Sequence, residues 1–353
     1  MSKIGTGVSE IGTGVSKVGA GMSKVGAGMS EIGAGVSEMS TAANERDAGL
    51  TEVDVSFASQ GFTLAGVVTR PSASEAGPAV LLISGSGPID RDGSHKRLRL
   101  DITRQIAVAL RHAGIASLRY DKRGAGASRG DFLATGLHDN VADARAAFET
   151  LRAQPGVDPE RVFVLGHSEG AIITVAMLAD GAPAAGGILL SPTARPGADV
   201  LRWQAEQVAG DLPPAVRFLL RLFRVDLVAK VARNHEKLRA TTTDVARLGG
   251  ARVNARWFRE FMTYDPATDL DRIKVPVLAV AGGKDLQAPP GDLAVIRDRL
   301  GDRATTVLVD DLSHILRSQP GPATLRSYRR DVIRPVDSRV LSAILEWVAA
   351  HSR

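Results

Sequence analysis

The sequence predicts an α/β protein with a mostly parallel central sheet, helices on both faces and a helical cap insertion. Two observations lead to this fold class. After Leu50, short apolar runs alternate with helical patterns, and one long segment, at about 192–271, interrupts that alternation. Strands that alternate with helices pair in parallel, because each crossover helix returns the chain to the same edge of the sheet. We therefore divide the chain into a tail with linker, 1–49, and an α/β domain, 50–353.

The tail is a repeat of seven residues that covers positions 2–36 and begins SKIGTGV. Its apolar residues alternate at spacings of four and three, which is typical of a coiled coil. Each of the five repeats also contains two glycines, and these ten glycines together cost a helix on the order of 10 kcal/mol relative to alanine. Two interpretations stay open: a disordered or partly helical tail, or a segment for self-association that folds only against a partner. Residues 40–49 are interpreted as a polar linker.

The predicted elements follow in chain order. An antiparallel hairpin of 51–58 and 62–69 flanks a Ser-Gln-Gly turn. Buried strands are predicted at 79–83, 115–120, 161–165, 187–190, 275–281 and 305–309, and helices at 101–113, 140–153, 171–179 and 338–350. The insertion is helical in character, and we expect it to cover the carboxyl ends of the strands, where open α/β sheets hold their sites.

Composition excludes several classes of function. There is no cysteine, so disulfides, thiolate chemistry and cysteine-bound metals are excluded. No apolar run approaches the roughly 18 residues of a membrane span, and Lys or Glu recurs through the N-terminus, so we expect a cytoplasmic protein. The net charge of +5 is concentrated between Arg202 and Glu260, a segment that contains twelve Lys or Arg and six Asp or Glu. With few aromatic residues and no recognisable motif, we expect no nucleic-acid partner.

A candidate nucleophile lies in the pentapeptide Gly166-His-Ser-Glu-Gly170, which fits G-x-S-x-G. A predicted strand leads into it and a predicted helix leads out, as in a nucleophile elbow. The two glycines relieve crowding in the sharp turn. The turn raises the hydroxyl of Ser168 above the sheet and directs the N-terminus of a helix at the reacting centre.

A serine hydroxyl needs a base, and the chain order expected with such an elbow is Ser, acid, His. Three histidines follow Ser168. His235 lies in the insertion and His351 close to the end of the sequence, whereas His314 follows a predicted strand and a short loop. We therefore predict His314 as the base.

The acid is expected after the preceding strand. Asp285 lies at the carboxyl end of the strand that finishes at Ala281 and would orient the imidazole. Asp310 and Asp311 are alternatives closer to His314 in the sequence, where a local turn is the more ordinary role.

The tetrahedral intermediate requires two backbone donors. We predict the amide of Glu169, directly after the nucleophile, and the amide of Ser86 in the glycine-rich loop Ser84-Gly-Ser-Gly-Pro88. The loop lacks the Gly-Lys-Ser/Thr ending of a phosphate cradle. The turn Asp121–Ser128 is interpreted as structural, and the sequence predicts no cofactor and no metal.

These motifs occur in order and together resemble the bacterial α/β-hydrolases grouped with serine aminopeptidase-like and dienelactone-hydrolase-like esterases. The resemblance covers about residues 50–353 and implies the α/β-hydrolase fold and hydrolysis through an acyl-enzyme. Many relatives have His where Ser84 stands, and the heptads have no counterpart in the family pattern. Relatives with an Asp nucleophile include dehalogenases and epoxide hydrolases, and Ser168 argues against both activities.

The insertion contains a basic amphipathic segment. Arg217, Arg221 and Arg224 lie at helical spacing among apolar residues. Such a helix is typical of a solvated face over an apolar pocket wall, of contact with an anionic surface, or of acceptance of an acidic substrate. Further candidates for the pocket wall are Trp203, Trp257, Phe258 and Phe261.

From the residues we predict a serine carboxylesterase that acts on a small-molecule ester. A peptidase or amidase would use the same residues, and a thioesterase or acyltransferase would differ in what enters the cap. An alternative of another class is a non-catalytic binding or scaffold protein that acts through its heptads. We expect no stable membrane insertion, and self-association through the heptads stays open.

Overall fold

The computed structural model describes residues 51–71, 76–96 and 98–352. The predictions for residues 1–49 therefore lie outside the described residues. The strands are β1 (Thr51–Ser59), β2 (Phe62–Arg70), β3 (Gly77–Ile83), β4 (Ala116–Tyr120), β5 (Val157–His167), β6 (Gly186–Leu190), β7 (Val245–Leu248), β8 (Ala251–Asn254), β9 (Val277–Gly282) and β10 (Ala304–Val309). The helices are α1 (Ile102–His112), α2 (Leu137–Arg152), α3 (Glu169–Ala179), α4 (Gly197–Asp211), α5 (Pro214–Leu222), α6 (Leu227–Arg239), α7 (Ala255–Thr263), α8 (Pro266–Leu270), α9 (Asp292–Leu300), α10 (Tyr328–Asp331) and α11 (Ser338–His351).

Eight strands form one sheet in the order β1-β2-β4-β3-β5-β6-β9-β10. The hairpin of β1 and β2 is antiparallel and pairs antiparallel with β4, whereas every later neighbour pairs in parallel. The hairpin turn is Gln60-Gly61, and both residues have positive φ, as the twist of a two-residue hairpin turn requires. The predicted fold class, a mostly parallel sheet with an antiparallel edge, is confirmed.

Both faces of the sheet are buried. In β3, Leu81 and Ile83 pack into one core with α2, α3 and α9, whereas Val80 and Leu82 pack into a second core with α1 and α11. β5 and β9 divide their side chains between the two cores in the same alternating way. This period of two explains why the strands appear in the sequence as unbroken apolar runs.

The insertion between β6 and β9 contains five helices, α4 to α8, and one element that its helical character did not predict. β7 and β8 form a separate antiparallel hairpin around Gly249-Gly250, and both glycines have positive φ. Helix α9, after β9, was also not predicted; Leu293, Ile296 and Leu300 bury its inner face. Among the described residues, no helix combines the length and hydropathy that crossing a bilayer requires.

Helix α7 attaches the insertion to the sheet domain. Arg256 Nη1 lies 3.0 Å from Asp139 Oδ2 on α2, and the backbone amide of His138 donates to Glu260 at 3.0 Å. The Asn254 side-chain amide, just before α7, donates to the carbonyl oxygens of Phe132 and Thr135. These contacts fix α7 over the carboxyl ends of the strands.

The sheet order places a switch point beside β3. The chain leaves β3 to form β4 on one side and returns to form β5 on the other. The loops after β3 and β5 therefore diverge from neighbouring strand ends and leave a crevice, which is where ligands bind in open α/β sheets.

The burial of β3 can be tested with two leucines of the same sheet. Leu81 is 0% exposed in the central strand, whereas Leu308 on the edge strand β10 is 52% exposed. Leu81→Ala leaves a cavity and should lower the free energy of unfolding by about 2–5 kcal/mol. Leu308→Ala should change it by about 0.5 kcal/mol or less. Urea unfolding measures both, and equal losses would contradict the described core.

Candidate active site

Ser168 lies at a sharp turn between β5 and α3. Its φ and ψ of 57° and −118° are a conformation that residues other than glycine rarely adopt. The flanking glycines are required for steric reasons, because a Cβ at Gly166 would overlap the carbonyl of Gly170, and one at Gly170 would overlap the carbonyl of Ile83 on β3. The turn therefore fits only because both flanking positions lack a side chain, which accounts for the G-x-S-x-G pattern.

The structure brings Ser168 and His314 together across 146 residues of sequence. His314 Nε2 lies 3.0 Å from Ser168 Oγ. Its Nδ1 lies 2.8 Å from Asp285 Oδ2 and 3.0 Å from Oδ1. Because an ionised carboxylate can only accept, the proton is on Nδ1, and Nε2 is left to accept from the hydroxyl of Ser168. The three residues thus form a line in which the hydroxyl proton can pass to the imidazole.

Asp285 is held ionised although it is buried. Burial alone would raise its pKa, but the neighbouring His314 and two backbone amides outweigh it, so the pKa of Asp285 lies below its usual range. The amides are those of Gln287 and Ala288, which donate to Oδ1 at 2.7 and 2.8 Å. The carboxylate is therefore fixed in position and retains a negative charge against the imidazole.

The other candidates for base and acid lie elsewhere. His235 packs on Phe258 in the insertion, and His351 stacks on Trp347. The carboxylate of Asp311 lies 2.7 Å from Arg339 and also accepts from Ser318. Asp310 instead contacts Gly283 through its backbone, since a Cβ at that glycine would overlap its carbonyl.

Ser86 and Glu169 both border the cavity that contains Ser168. The amide of Glu169 belongs to the first turn of α3, where helix N–H groups lack an intrahelical acceptor. The loop that contains Ser86 approaches the nucleophile closely, because a Cβ at Gly85 would lie 3.4 Å from the Cβ of Ser168. Both residues predicted to supply oxyanion donors therefore lie at the same cavity as the hydroxyl of Ser168.

Lys122 orients the loop that contains Ser86. Its ammonium group donates to the carbonyl of Gly85 at 2.9 Å. The carbonyl and the following N–H point in opposite directions across a trans peptide. Holding the Gly85 carbonyl toward Lys122 therefore turns the N–H of Ser86 to the opposite side. The turn Asp121–Ser128, which the sequence predicts to be structural, thus also has a role beside the site through Lys122.

The same lysine forms a buried ion pair with Glu169. Lys122 Nζ lies 3.0 Å from Glu169 Oε2, and both side chains are 3% exposed. The second carboxylate oxygen, Oε1, accepts from Asn140 Nδ2 at 3.0 Å and from Trp257 Nε1 at 2.8 Å. Trp257 comes from α7, so a hydrogen bond connects the insertion to the residue after Ser168. The sequence predicts Trp257 as part of the pocket wall but does not reveal this bond.

His167, beside Ser168, is hydrogen-bonded to the backbone of His314. Its Nε2–H donates to the backbone carbonyl of His314 at 2.8 Å. Burial, and then the charge of His314, lower the pKa of His167 from 6.5 to about 3. His167 is therefore neutral at any pH where the protein would act.

The cavity over Ser168 has a volume of about 170 Å³. Helix α3 and the insertion contribute the apolar residues Ile172, Val200, Leu201, Trp257 and Phe261 to its lining. Loops of the sheet domain contribute Ile89, Leu98, Leu100, Ala288 and Ile315. Of the four aromatic wall candidates, Trp203 and Phe258 do not line it. Among the described residues, no group of three or more His, Asp or Glu lies close enough together to hold a metal ion.

The sequence pattern of the family described as serine aminopeptidase, S33, matches residues 100–319, which is more than half of the chain. Esterase EstD of Thermotoga maritima is 32% identical over 292 residues, which cover 81% of this chain and 65% of EstD. An uncharacterised protein of Mycobacterium tuberculosis is 36% identical over 125 residues, 35% of this chain and 40% of that protein. The chain thus spans less than two thirds of the length of either relative.

Solved structures share the fold at low identity. The α/β hydrolase GrgF from Penicillium matches with a TM-score of 0.57 and 19% identity over 86% of this chain and 99% of its own. The Pyrococcus furiosus esterase Pf2001 matches with a TM-score of 0.55 and 17% identity over 87% of this chain and 96% of its own. Est1E from Butyrivibrio proteoclasticus matches with a TM-score of 0.56 and 18% identity over 84% of this chain and 98% of its own.

The low pKa of His167 makes stability depend on pH. The folded protein keeps this imidazole neutral to about pH 3, whereas the unfolded chain protonates it below about 6.5. The contribution of His167 to the free energy of unfolding is complete above pH 6.5 and is lost as the pH falls, by up to about 1.4 kcal/mol per pH unit. His167→Gln keeps an N–H donor and does not titrate. Between pH 6.5 and pH 5 it should therefore lose about 2 kcal/mol less than the wild type.

Urea unfolding of both proteins near each pH measures this difference. His138→Gln, which replaces an exposed histidine on α2, is the control and should follow the wild type. If His167→Gln had the pH dependence of the wild type, the neutral buried imidazole would be refuted.

Proposed function

This chain belongs to the serine aminopeptidase S33 family of α/β-hydrolases, and from that premise we propose that it hydrolyses carboxylic esters through an acyl-enzyme intermediate. The proposal rests above all on the hydrogen-bonded line from Ser168 Oγ to His314 Nε2, at 3.0 Å, and from His314 Nδ1 to Asp285, at 2.8 Å. A nucleophile, a base and a group that orients the base are what acyl transfer by serine requires.

In the first half-reaction, Ser168 Oγ attacks the ester carbonyl while His314 Nε2 takes its proton. Asp285 stabilises the imidazolium that forms. The amides of Ser86 and Glu169 donate to the oxyanion of the tetrahedral intermediate. When the intermediate collapses, the C–O bond to the leaving group breaks, and His314 returns the proton to the departing alcohol. The products are the alcohol and an ester of Ser168.

In the second half-reaction, water replaces the alcohol. His314 takes a proton from the water, whose oxygen attacks the acyl carbon, and the same two amides again bind the oxyanion. Collapse releases the carboxylic acid and returns the proton to Ser168. Asp285 keeps its charge through both steps, which agrees with a pKa below the usual range.

The wall of the cavity favours a substrate whose acyl group is small and apolar. Its volume of about 170 Å³ is close to that of cavities that hold a benzene-sized molecule. Ten apolar residues contribute to its lining, so a short chain or a single ring fits better than a charged or long acyl group. The similarity to EstD, an esterase, favours an ester over an amide.

A peptidase is the second candidate, because the family's description names a serine aminopeptidase. Cleaving an amide uses the same residues but requires His314 to protonate an amine as it leaves. The choice of substrate distinguishes the two functions, whereas the geometry of Ser168, His314 and Asp285 suits both. Thioesters and acyl transfer to an acceptor other than water remain alternatives of the same chemistry.

The test compares the purified protein with its Ser168→Ala variant on p-nitrophenyl esters of increasing acyl length and on an aminoacyl p-nitroanilide. The wild type should hydrolyse the short esters fastest and the anilide poorly. Ser168→Ala should lose several orders of magnitude in rate while retaining its fold by circular dichroism. A fluorophosphonate should label the wild type and not the variant.

Two results would contradict the proposal. Cleavage of the anilide alone would establish the peptidase instead. A folded wild type that cleaves no ester, anilide or thioester and takes up no fluorophosphonate would refute the catalytic account and leave the binding alternative.

The hydrogen bond from Trp257 to Glu169 generates a separate prediction. Trp257→Phe keeps an aromatic ring against Phe261, with which Trp257 stacks at 4.7 Å, but removes the donor to the buried carboxylate. Losing a hydrogen bond to a charged buried group should lower the free energy of unfolding by about 1.5–3 kcal/mol. Because Glu169 also carries a proposed oxyanion amide, a displacement of this residue should lower kcat by about tenfold or more, with a smaller change in KM. Trp203→Phe, on α4 outside the cavity, is the control and should leave kcat unchanged. An unaltered kcat in Trp257→Phe would contradict the role of this bond.

A further inference from the structure

Helix α5 has nine residues and none of its side chains is buried. The described residues contain eleven large apolar side chains that are exposed, and six of them lie within positions 216–225. These are Val216, Phe218, Leu219, Leu222, Phe223 and Val225. Phe218, Leu222 and Phe223 are each more than 60% exposed. Among the described residues, the exposed apolar side chains are therefore concentrated on one short helix and the turn that follows it.

A helix of nine residues is too short to be stable by itself. Isolated helices shorter than about 12 residues are marginal in water, and most helical stability in proteins comes from packing an apolar face. Contiguous exposed apolar patches mark interaction sites. Burial of this face against a partner would supply the packing that α5 lacks within the described chain.

The charge of this segment identifies the partner's chemistry. Arg217 and Arg221 lie four residues apart on α5, which places them on one side of the helix, and Arg224 follows in the turn after the helix. No acidic residue lies between Leu212 and Val225. The segment combines exposed phenylalanine, leucine and valine side chains with three arginines, which is the composition of helices that lie in a membrane interface.

We propose that α5 and the turn after it, residues 214–225, form a docking surface for an anionic lipid membrane. The phenylalanine and leucine side chains enter the boundary between head groups and acyl chains. The three guanidinium groups donate hydrogen bonds to lipid phosphates, for which their planar fork is suited. Attraction to the anionic surface acts on each arginine within a Debye length.

A second copy of this chain fits the surface less well. A two-fold interface presses the same patch against itself. Two such patches would bring six arginines together with no acidic residue from the segment between them. An anionic membrane both covers the apolar side chains and neutralises the arginines.

The surface lies close in the chain to the cavity over Ser168. Helix α4, which directly precedes α5, contributes Val200, Leu201 and Gln204 to the cavity lining. At the end of α4, the Asp211 carboxylate accepts from the amide of Leu325 at 3.0 Å, near the cavity residue Tyr328. Docking through α5 would therefore attach the membrane to the same insertion that contributes part of the cavity lining. This inference does not depend on the proposed ester hydrolysis.

The test uses the full chain with Ser168→Ala, so that no lipid is consumed. Flotation measures its binding to vesicles of phosphatidylcholine and to vesicles of equal parts phosphatidylcholine and phosphatidylglycerol at physiological salt. Two variants probe the surface: Arg217→Gln with Arg221→Gln and Arg224→Gln, and Leu222→Ser with Phe223→Ser. The matched controls are Arg297→Gln with Arg329→Gln and Arg330→Gln, and Leu308→Ser with Ile333→Ser, which change equally exposed residues elsewhere.

We expect binding to the anionic vesicles and little to phosphatidylcholine alone. The triple arginine variant should bind about a hundredfold more weakly, at about fivefold for each charge. The Leu222→Ser with Phe223→Ser variant should also lose binding, and both controls should bind like the parent. All variants change exposed side chains and should retain the parent's thermal unfolding.

Three results would overturn the proposal. The first is absence of binding to anionic vesicles. The second is binding that the two surface variants leave unchanged, which would assign it to another part of the chain. The third is a dimer, seen by analytical ultracentrifugation, that Leu222→Ser with Phe223→Ser dissociates, because a second copy would then cover the surface.

Discussion

The ion pair between Lys122 and Glu169 connects the parts of the candidate site. Removing both charges from water is costly, and the cost is offset only where the remaining donors and acceptors are also satisfied. Here Glu169 accepts from Lys122, Asn140 and Trp257, and Lys122 also donates to the Gly85 carbonyl. The loop after β3, the turn after β4 and the start of α3 are thereby fixed relative to one another. Both predicted oxyanion donors belong to segments that this pair holds.

The turn at Ser168 also depends on the residues packed around it. A strained Ser168 persists only where its surroundings hold it, and the close approach of Gly170 to β3 leaves no room for an alternative path of the chain. Behind the nucleophile, His167 donates to the backbone of His314, and Asp285 accepts from its side chain. The imidazole is thus positioned from its backbone and from its ring. Low solvent access around these residues strengthens each of the contacts.

The insertion takes part in the site as well as covering it. Trp257 lines the cavity with its ring and donates to Glu169 with its Nε1–H. Helix α7, which contains it, is tied to α2 through Arg256 and Glu260. Helix α5 differs, since none of its side chains is buried. The insertion therefore has one helix, α7, that is firmly attached beside Glu169 and one helix, α5, whose apolar face is open, and we propose different roles for the two.

The sequence alone determined the fold class and most strands and helices, because alternation of apolar runs with helical patterns is a local property of the chain. It also predicted Ser168, Asp285 and His314, since a nucleophile elbow is contiguous and the other two follow strand ends in a known order. Only the tertiary structure revealed Lys122, Asn140 and Trp257 as partners of Glu169. They lie 47, 29 and 88 residues from it, and no local pattern distinguishes them from a turn lysine, a helix asparagine or a wall tryptophan. The hairpin of β7 and β8 was likewise missed within a segment that is otherwise helical. Contacts between distant residues arise from how the elements pack, and packing is decided by the whole chain rather than by any stretch of it.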